Sequence, residues 1–192
     1  SSAASDVYKR QAKANGAKLI VLDPRVSDQA EGADIHLRLR AGTDAAMCLG
    51  WLNVIINEDL YDKDFVTQHT IGFADLCDRV AEYPVERVAE ITGVPEEQII
   101  EAARLYAGAE SACIPWTPIT DMQLSSTSAI RLHSILRALT GNLDVPGGEL
   151  LGGFNPNYIS ESELANHDML TDGQKAKQLG SDLHPCLLYT SP

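Results

Sequence analysis

The sequence predicts an α/β fold: a partial parallel-sheet, dinucleotide-binding-like domain with flanking helices, incomplete at both ends. Three observations lead there. Residues 18–22 (KLIVL) form a short apolar run after Asn15-Gly16, the pattern of a buried parallel strand. Residues 33–40 alternate, with Ile35, Leu37 and Leu39 on one face and His36, Arg38 and Arg40 on the other, the pattern of a strand nearer an edge. Helical patterns then alternate with loops at the spacing of a parallel-sheet domain.

The first strand ends at Asp23-Pro24, because proline cannot donate to a ladder. After the second strand, Ala41-Gly42-Thr43-Asp44 turns the chain into a helix with Ala46, Met47, Gly50, Trp51, Val54 and Ile55 at helical spacing. Four shorter helices follow at 62–68, 73–82, 84–91 and 95–107. The last opens with Pro95 in its first turn and Glu96-Glu97 beside the positive end of its dipole. Residues 112–116 read as a third short strand, and Pro115 and Pro118 stiffen the loop around Trp116. Residues 125–140 form a long amphipathic helix with a left-handed stop at Gly141-Asn142. Residues 144–148 (DVPGG) are a turn, and beyond 148 the chain is loop-rich with one helix expected within 160–180. The α/β domain thus covers 12–124, and 125–185 begins an adjoining domain.

The 192 residues carry 15 Lys and Arg against 27 Asp and Glu, a formal charge of −12. That balance disfavours nucleic acid, which needs a basic surface, and anionic membranes. No apolar run approaches the roughly 18 residues of a membrane span, so no membrane insertion is expected. Both ends read as foreign to a protein. Residues 1–11 (SSAASDVYKRQ) and 186–192 (CLLYTSP) back-translate to the two orientations of a transposon-end sequencing adapter. Set aside, they leave 12–185 as an internal segment of a longer gene. Cys48, Cys77 and Cys113 then remain, without a CxxC pair, as three buried free thiols rather than a disulfide framework or zinc site. The compartment stays open.

In parallel sheets, ligands sit outside the carboxyl ends of the strands. If the two predicted strands are neighbours, Asp23-Pro24-Arg25 and Gly42-Thr43-Asp44 share one edge. A carboxylate in the position of Asp23 can accept two ribose hydroxyls. Asp44 can accept the parallel N1–H and N2–H donors of guanine, Gly42 permits close backbone approach, and Thr43 can cap the next helix. For either loop taken alone, a plain turn at 23–24 or a plain cap at 43–44 is the readier explanation. No GxGxxG, P-loop, HExxH or GxSxG motif is present. The five histidines, at 36, 69, 133, 167 and 184, form no ligand spacing. Arg131 and His133 lie on the helix after the proline-rich loop.

Taken together these strings resemble the molybdopterin oxidoreductases of the dimethyl sulfoxide reductase type. The resemblance runs through GAKLIVLDPR (16–25), AGTDAA (41–46), LYDKDFV (60–66), ITGVP (91–95), AARLYA (102–107) and LRALTGNLDVPGG (136–148), collinear over 12–149. It implies a bis-molybdopterin guanine dinucleotide cofactor carrying molybdenum or tungsten, one guanosine end being gripped by Asp23, Pro24 and Arg25 and by Gly42, Thr43 and Asp44. It implies a pterin contact at Gln123, or at Met122 one residue earlier. The glycines expected in that stretch are missing from residues 116–123 (WTPITDMQ). Arg131 corresponds to an arginine that points toward the metal in the formate dehydrogenase branch, and so stands as the candidate catalytic residue. The [4Fe–4S] cluster motif and the metal ligand are expected upstream, so the chain alone is expected to be inactive. Implied partners are a small-molecule substrate and an iron–sulfur electron-transfer subunit. The PITD loop (118–121) and residues 174–182 resemble acetylene-hydratase-like members, which share the fold but catalyse net hydration. The alternative outside this family is a stand-alone α/β nucleotide-binding module.

Overall fold

A computed structural model describes residues 2–115, 120, 122–152, 159 and 169–177. The chain divides into two compact units, 1–151 and 152–192. The first opens with α1 (Ser2–Ala14), β1 (Ile20–Leu22), α2 (Asp28–Glu31) and β2 (Ile35–Leu37). The strands pair in parallel, with Ile20 opposite Ile35, Val21 opposite His36 and Leu22 opposite Leu37. Among the described residues there follow α3 (Asp44–Asn57), α4 (Lys63–His69), α5 (Phe73–Ala81), α6 (Val85–Thr92), α7 (Glu96–Ala107) and α8 (Ser126–Leu139). In the second unit the described residues include α9 (Asp172–Lys175), opened by a capping box between Thr171 and Gln174. Most of the helix expected within 160–180 lies outside the described residues.

The fold is the expected class, a parallel strand pair with flanking helices, but helices dominate it. β2 is shorter than the alternation implied. Leu39 stays buried, but at Arg40 the backbone N–H leaves the sheet and donates to Thr92 O at 2.8 Å, tying the chain to the end of α6. The expected third strand is not one: residues 112–115 pair with no strand among the described residues, and residue 116 lies outside them. Its amides go to side chains instead, Ala112 N–H to Asn142 and Ile114 N–H to Glu149. The short α2 went unforeseen; it is one turn, and the Ser27 hydroxyl accepts the Ala30 N–H at its start.

Helix α3 organises the core. Its spacing implied one apolar stripe, yet every residue from Met47 to Ile55 is buried. The reason is that α5, α6, α7 and α8 all pack on it. Gly50 lets α6 approach: a Cβ there would stand 2.8 Å from Val88 Cγ1. Trp51 stacks at a tilt on Tyr106 of α7, ring centroids 5.7 Å apart, and Asn53 Nδ2 donates to Val80 O at the end of α5. Met47, Leu52 and Ile55 are fully buried, and each such side chain stabilises the fold by about 1.5–3 kcal/mol. Helix α8 ends as expected, with Gly141 left-handed and the Asn142 N–H returning to Arg137 O at 2.8 Å. Of the three cysteines expected to be buried, Cys48 alone is; Cys77 is half-buried and Cys113 exposed. Among the described residues no helix is long and apolar enough to cross a membrane.

Candidate functional site

The parallel pairing of β1 and β2 settles the condition on which the two loops depended. Both leave the carboxyl edge of adjacent strands, the first directly and the second after residues 38–41. Asp23 continues the pairing by one bond, its N–H donating to Leu37 O at 3.3 Å. Its Oδ1 accepts the Arg25 N–H at 2.8 Å across Pro24, and Arg25 Nε stands 3.5 Å away. That backbone N–H, chiefly, holds the Asp23 carboxyl below its ordinary range, with burial opposing. His36 Nε2 donates to the Asp23 carbonyl at 2.9 Å, which places a proton on that nitrogen. Asp23 is therefore a turn-former through Oδ1, while Oδ2 carries no hydrogen bond among the described residues.

The second loop rises through Gly42, whose φ of +81° suits glycine. Nothing lies within 4 Å of a Cβ built there, so the space in front of it is open. Thr43 occupies the N-cap position, but its side chain does not cap. With φ −103° and ψ 14° it lacks the extended backbone of a capping residue, and its hydroxyl donates back to Arg40 O at 2.7 Å. The N–H groups of Asp44, Ala45 and Ala46 consequently have no partner among the described residues; the first helical bond is Met47 N–H to Thr43 O. The Asp44 carboxylate makes no hydrogen bond among the described residues either. Its charge is felt by Cys48 below it and by His133 on α8. Burial, with Asp44 adding to it, pushes the Cys48 thiol up to about 12. Burial and then Arg137 push His133 down, against Asp44 and Glu149.

The remaining expected site residues divide. Gln123 is half-buried just before α8; its carbonyl accepts the Ser126 N–H, and its Oε1 is buried without a hydrogen-bond partner among the described residues. Met122 is 83% exposed. Arg131 is exposed on α8 with no hydrogen bond or ion pair among the described residues. Residues 116–119 and 121 of the proline-rich loop lie outside the described residues. Among the described residues no hydrogen bond or ion pair joins the two loops to each other or to Arg131; what the loops share is the sheet edge. No group of three or more His, Cys, Asp or Glu is gathered for a metal among the described residues. Sequence reasoning overlooked His36, whose alternation placed it merely opposite the core face. It also overlooked Arg137, Asn142 and Glu149, which hold residues 112–115 and whose only signal was their place in and beside the LTGN stretch.

Comparison with known proteins identifies the setting. A family model described as molybdopterin oxidoreductase matches residues 2–182. The chain belongs to the molybdopterin oxidoreductase family. It is 50% identical to acetylene hydratase of Syntrophotalea acetylenica over 175 residues, covering 91% of this chain and 24% of that protein. It is 43% identical to formate dehydrogenase H of Escherichia coli over 135 residues (70% and 19%). It is 32% identical to the assimilatory nitrate reductase catalytic subunit of Bacillus subtilis over 175 residues (90% and 23%). The solved acetylene hydratase from Pelobacter acetylenicus superposes with a TM-score of 0.80 at 49% identity, over 94% of this chain and 25% of that one. The chain spans about a quarter or less of the length of these relatives. Membership implies a molybdopterin cofactor with molybdenum or tungsten.

Proposed function

We propose that this chain is the cofactor-holding middle part of a molybdenum or tungsten enzyme, and that its two post-strand loops grip the guanosine end of a molybdopterin guanine dinucleotide. The observation that carries this is the in-register parallel pairing of β1 and β2, which brings Asp23 and the Gly42–Asp44 loop to one edge with hydrogen-bonding capacity unspent. Asp23 Oδ2 accepts ribose hydroxyls while Oδ1 holds its own turn. Asp44 accepts guanine N1–H and N2–H, a charge-assisted pair of bonds. Gly42 keeps the approach clear, and Pro24 and Arg25 shape the first loop. Gln123 supplies a buried acceptor in want of a donor, as a pterin N–H provides; an orphaned buried oxygen is otherwise costly. The exposed guanidinium of Arg131 is a cation available to an anionic substrate or the metal's surroundings.

When bound, the cofactor would supply oxygen-atom or proton and electron transfer at its metal; the chain's share is binding and orientation. The bis-dinucleotide form, the [4Fe–4S] cluster, the small-molecule substrate and the iron–sulfur partner belong to this reading through the family resemblance. A second reading is non-redox hydration, favoured by the 50% identity to acetylene hydratase. Turnover of acetylene without any electron acceptor supports hydration; turnover that requires an acceptor supports the oxidoreductase.

The site is tested by Asp44→Ala in the holoenzyme that carries this segment. Loss of a charge-assisted pair weakens retention of the guanosine end by roughly 1.5–3 kcal/mol. Guanine nucleotide released on denaturation is then reduced per mole of protein. An unchanged content removes Asp44 from the site.

A further inference from the structure

Residues 112–115 lie eight residues and more before Gln123, and no strand among the described residues holds them. Side chains from beyond α8 do so. Asn142 Oδ1 accepts the Ala112 N–H at 2.7 Å, and Glu149 Oε1 accepts the Ile114 N–H at 2.9 Å. Amides two residues apart point to one side of an extended chain, so these oxygens stand where a neighbouring strand's carbonyls would. Arg137, on α8, completes the set. Its Nη2 donates to Ile114 O at 2.6 Å, and its Nε lies 3.3 Å from Glu149 Oε1 as an ion pair rather than a well-aligned hydrogen bond. Neither charge is freely solvated: the two side chains are 15% and 28% exposed.

The acceptors are themselves fixed. Glu149 N–H donates to Asn142 O at 2.9 Å and Asp144 N–H to Glu149 O at 2.7 Å, closing the 143–148 turn. Asn142 Nδ2 donates to Thr140 Oγ1 at 2.7 Å. Gly147, at φ +83°, presses so closely on Ser111 that a Cβ would run into its hydroxyl, and a Cβ on Gly148 would meet Asn142 O at 2.6 Å. The Ala112 and Ile114 side chains pack against the core. What Asn142, Glu149 and Arg137 hold in 112–115 is backbone, so these three polar side chains specify the path of the chain.

We propose that Arg137, Asn142 and Glu149 form a positioning clamp that sets the path of residues 112–115 and thereby helps to place Gln123, eight residues further along the chain, for the pterin. The clamp deepens the cofactor reading above and rests on it; the three residues are assigned a role on the backbone of 112–115, not as cofactor ligands.

Two measurements test it, and they fail separately. On the unaltered chain, amide exchange read by NMR is at least about tenfold slower at Ala112 and Ile114 than at Cys113, which has no backbone partner among the described residues. Equal exchange at all three overturns the clamp whatever the cofactor does. In the holoenzyme, Glu149→Ala lowers pterin content per mole of protein at least about twofold, and Glu149→Gln, which keeps an oxygen acceptor for Ile114, restores most of it. Unchanged pterin content in Glu149→Ala, or equal loss in both variants, overturns the positioning role. Asp44→Ala leaves the clamp untouched. If that variant alone keeps its guanine nucleotide, the fault lies in the nucleotide assignment and not in the clamp.

Discussion

Substitution of Gly50 by Ala probes how α3 is seated, and α3 carries Asp44 at its first residue. A Cβ at 50 would lie 2.8, 3.1 and 3.2 Å from Val88 Cγ1, Cγ2 and Cβ, all on a side chain that is itself fully buried. Alanine gains about 1 kcal/mol of helix propensity over glycine. Overpacking a filled crossing costs about 1–3 kcal/mol. Gly50→Ala is thus expected to be destabilising by up to about 2 kcal/mol despite the better helix former. Val88→Ala removes two methyl groups from the same contact, at about 0.8 kcal/mol each plus a cavity contribution. In the double variant the new methyl enters the space that valine vacated. Urea unfolding at 25 °C of all four proteins gives the coupling directly. The double variant is expected to be more stable than the sum of the singles predicts, by about 1–2 kcal/mol. Additivity within about 0.5 kcal/mol would refute the crossing as described.

Further outcomes follow from the charges and thiols. Asp34 accepts the Leu19 N–H at 2.9 Å and pairs with Lys18 and Lys13, each at 3.2 Å, which together lower its pKa from 3.8 to about 2. Its contribution is therefore present above about pH 4 and lost as pH falls toward 2, so the acid limb of unfolding is expected to flatten in Asp34→Asn; an unaltered limb contradicts this. Burial pushes Cys48 up to about 12, so at pH 8 it is expected to alkylate more slowly than Cys77 or exposed Cys113, as peptide mapping over time will show. His133 is pushed down by burial, so the folded state resists its protonation. Stability is expected to fall as pH drops through about 6.5, and His133→Gln to reduce that slope in thermal melts between pH 5 and 7.

The strands and the helices from α3 to α8 were legible because apolar periodicity and punctuation agree there. Thr92-Gly93, Pro95 and Gly141-Asn142 each stop or start a helix within a residue or so of where the pattern placed it. Residues 112–115 misled for a physical reason: a short apolar run can report an extended chain, but not who pairs with it. Here the partners are Asn142 and Glu149, some 30 and 35 residues away, and no local pattern announces a side chain standing in for a strand. Thr43 shows a similar limit. Residue type marks the N-cap position, but the backbone angles decide where the hydroxyl points, and they send it to Arg40. Asp23 and Asp44 were found as acids after strands, a placement that periodicity alone gives. That Asp23 spends one oxygen on its own turn and Asp44 spends neither on the described residues required coordinates.

Titration of this chain with guanosine diphosphate, followed by amide chemical shifts, addresses the nucleotide site itself. Perturbations clustered at 23–25 and 42–46, at least about tenfold stronger in affinity than with adenosine diphosphate and abolished by Asp44→Ala, are the result expected of a carboxylate reading guanine. Equal response to the two nucleotides, or shifts confined to other surfaces, would contradict it.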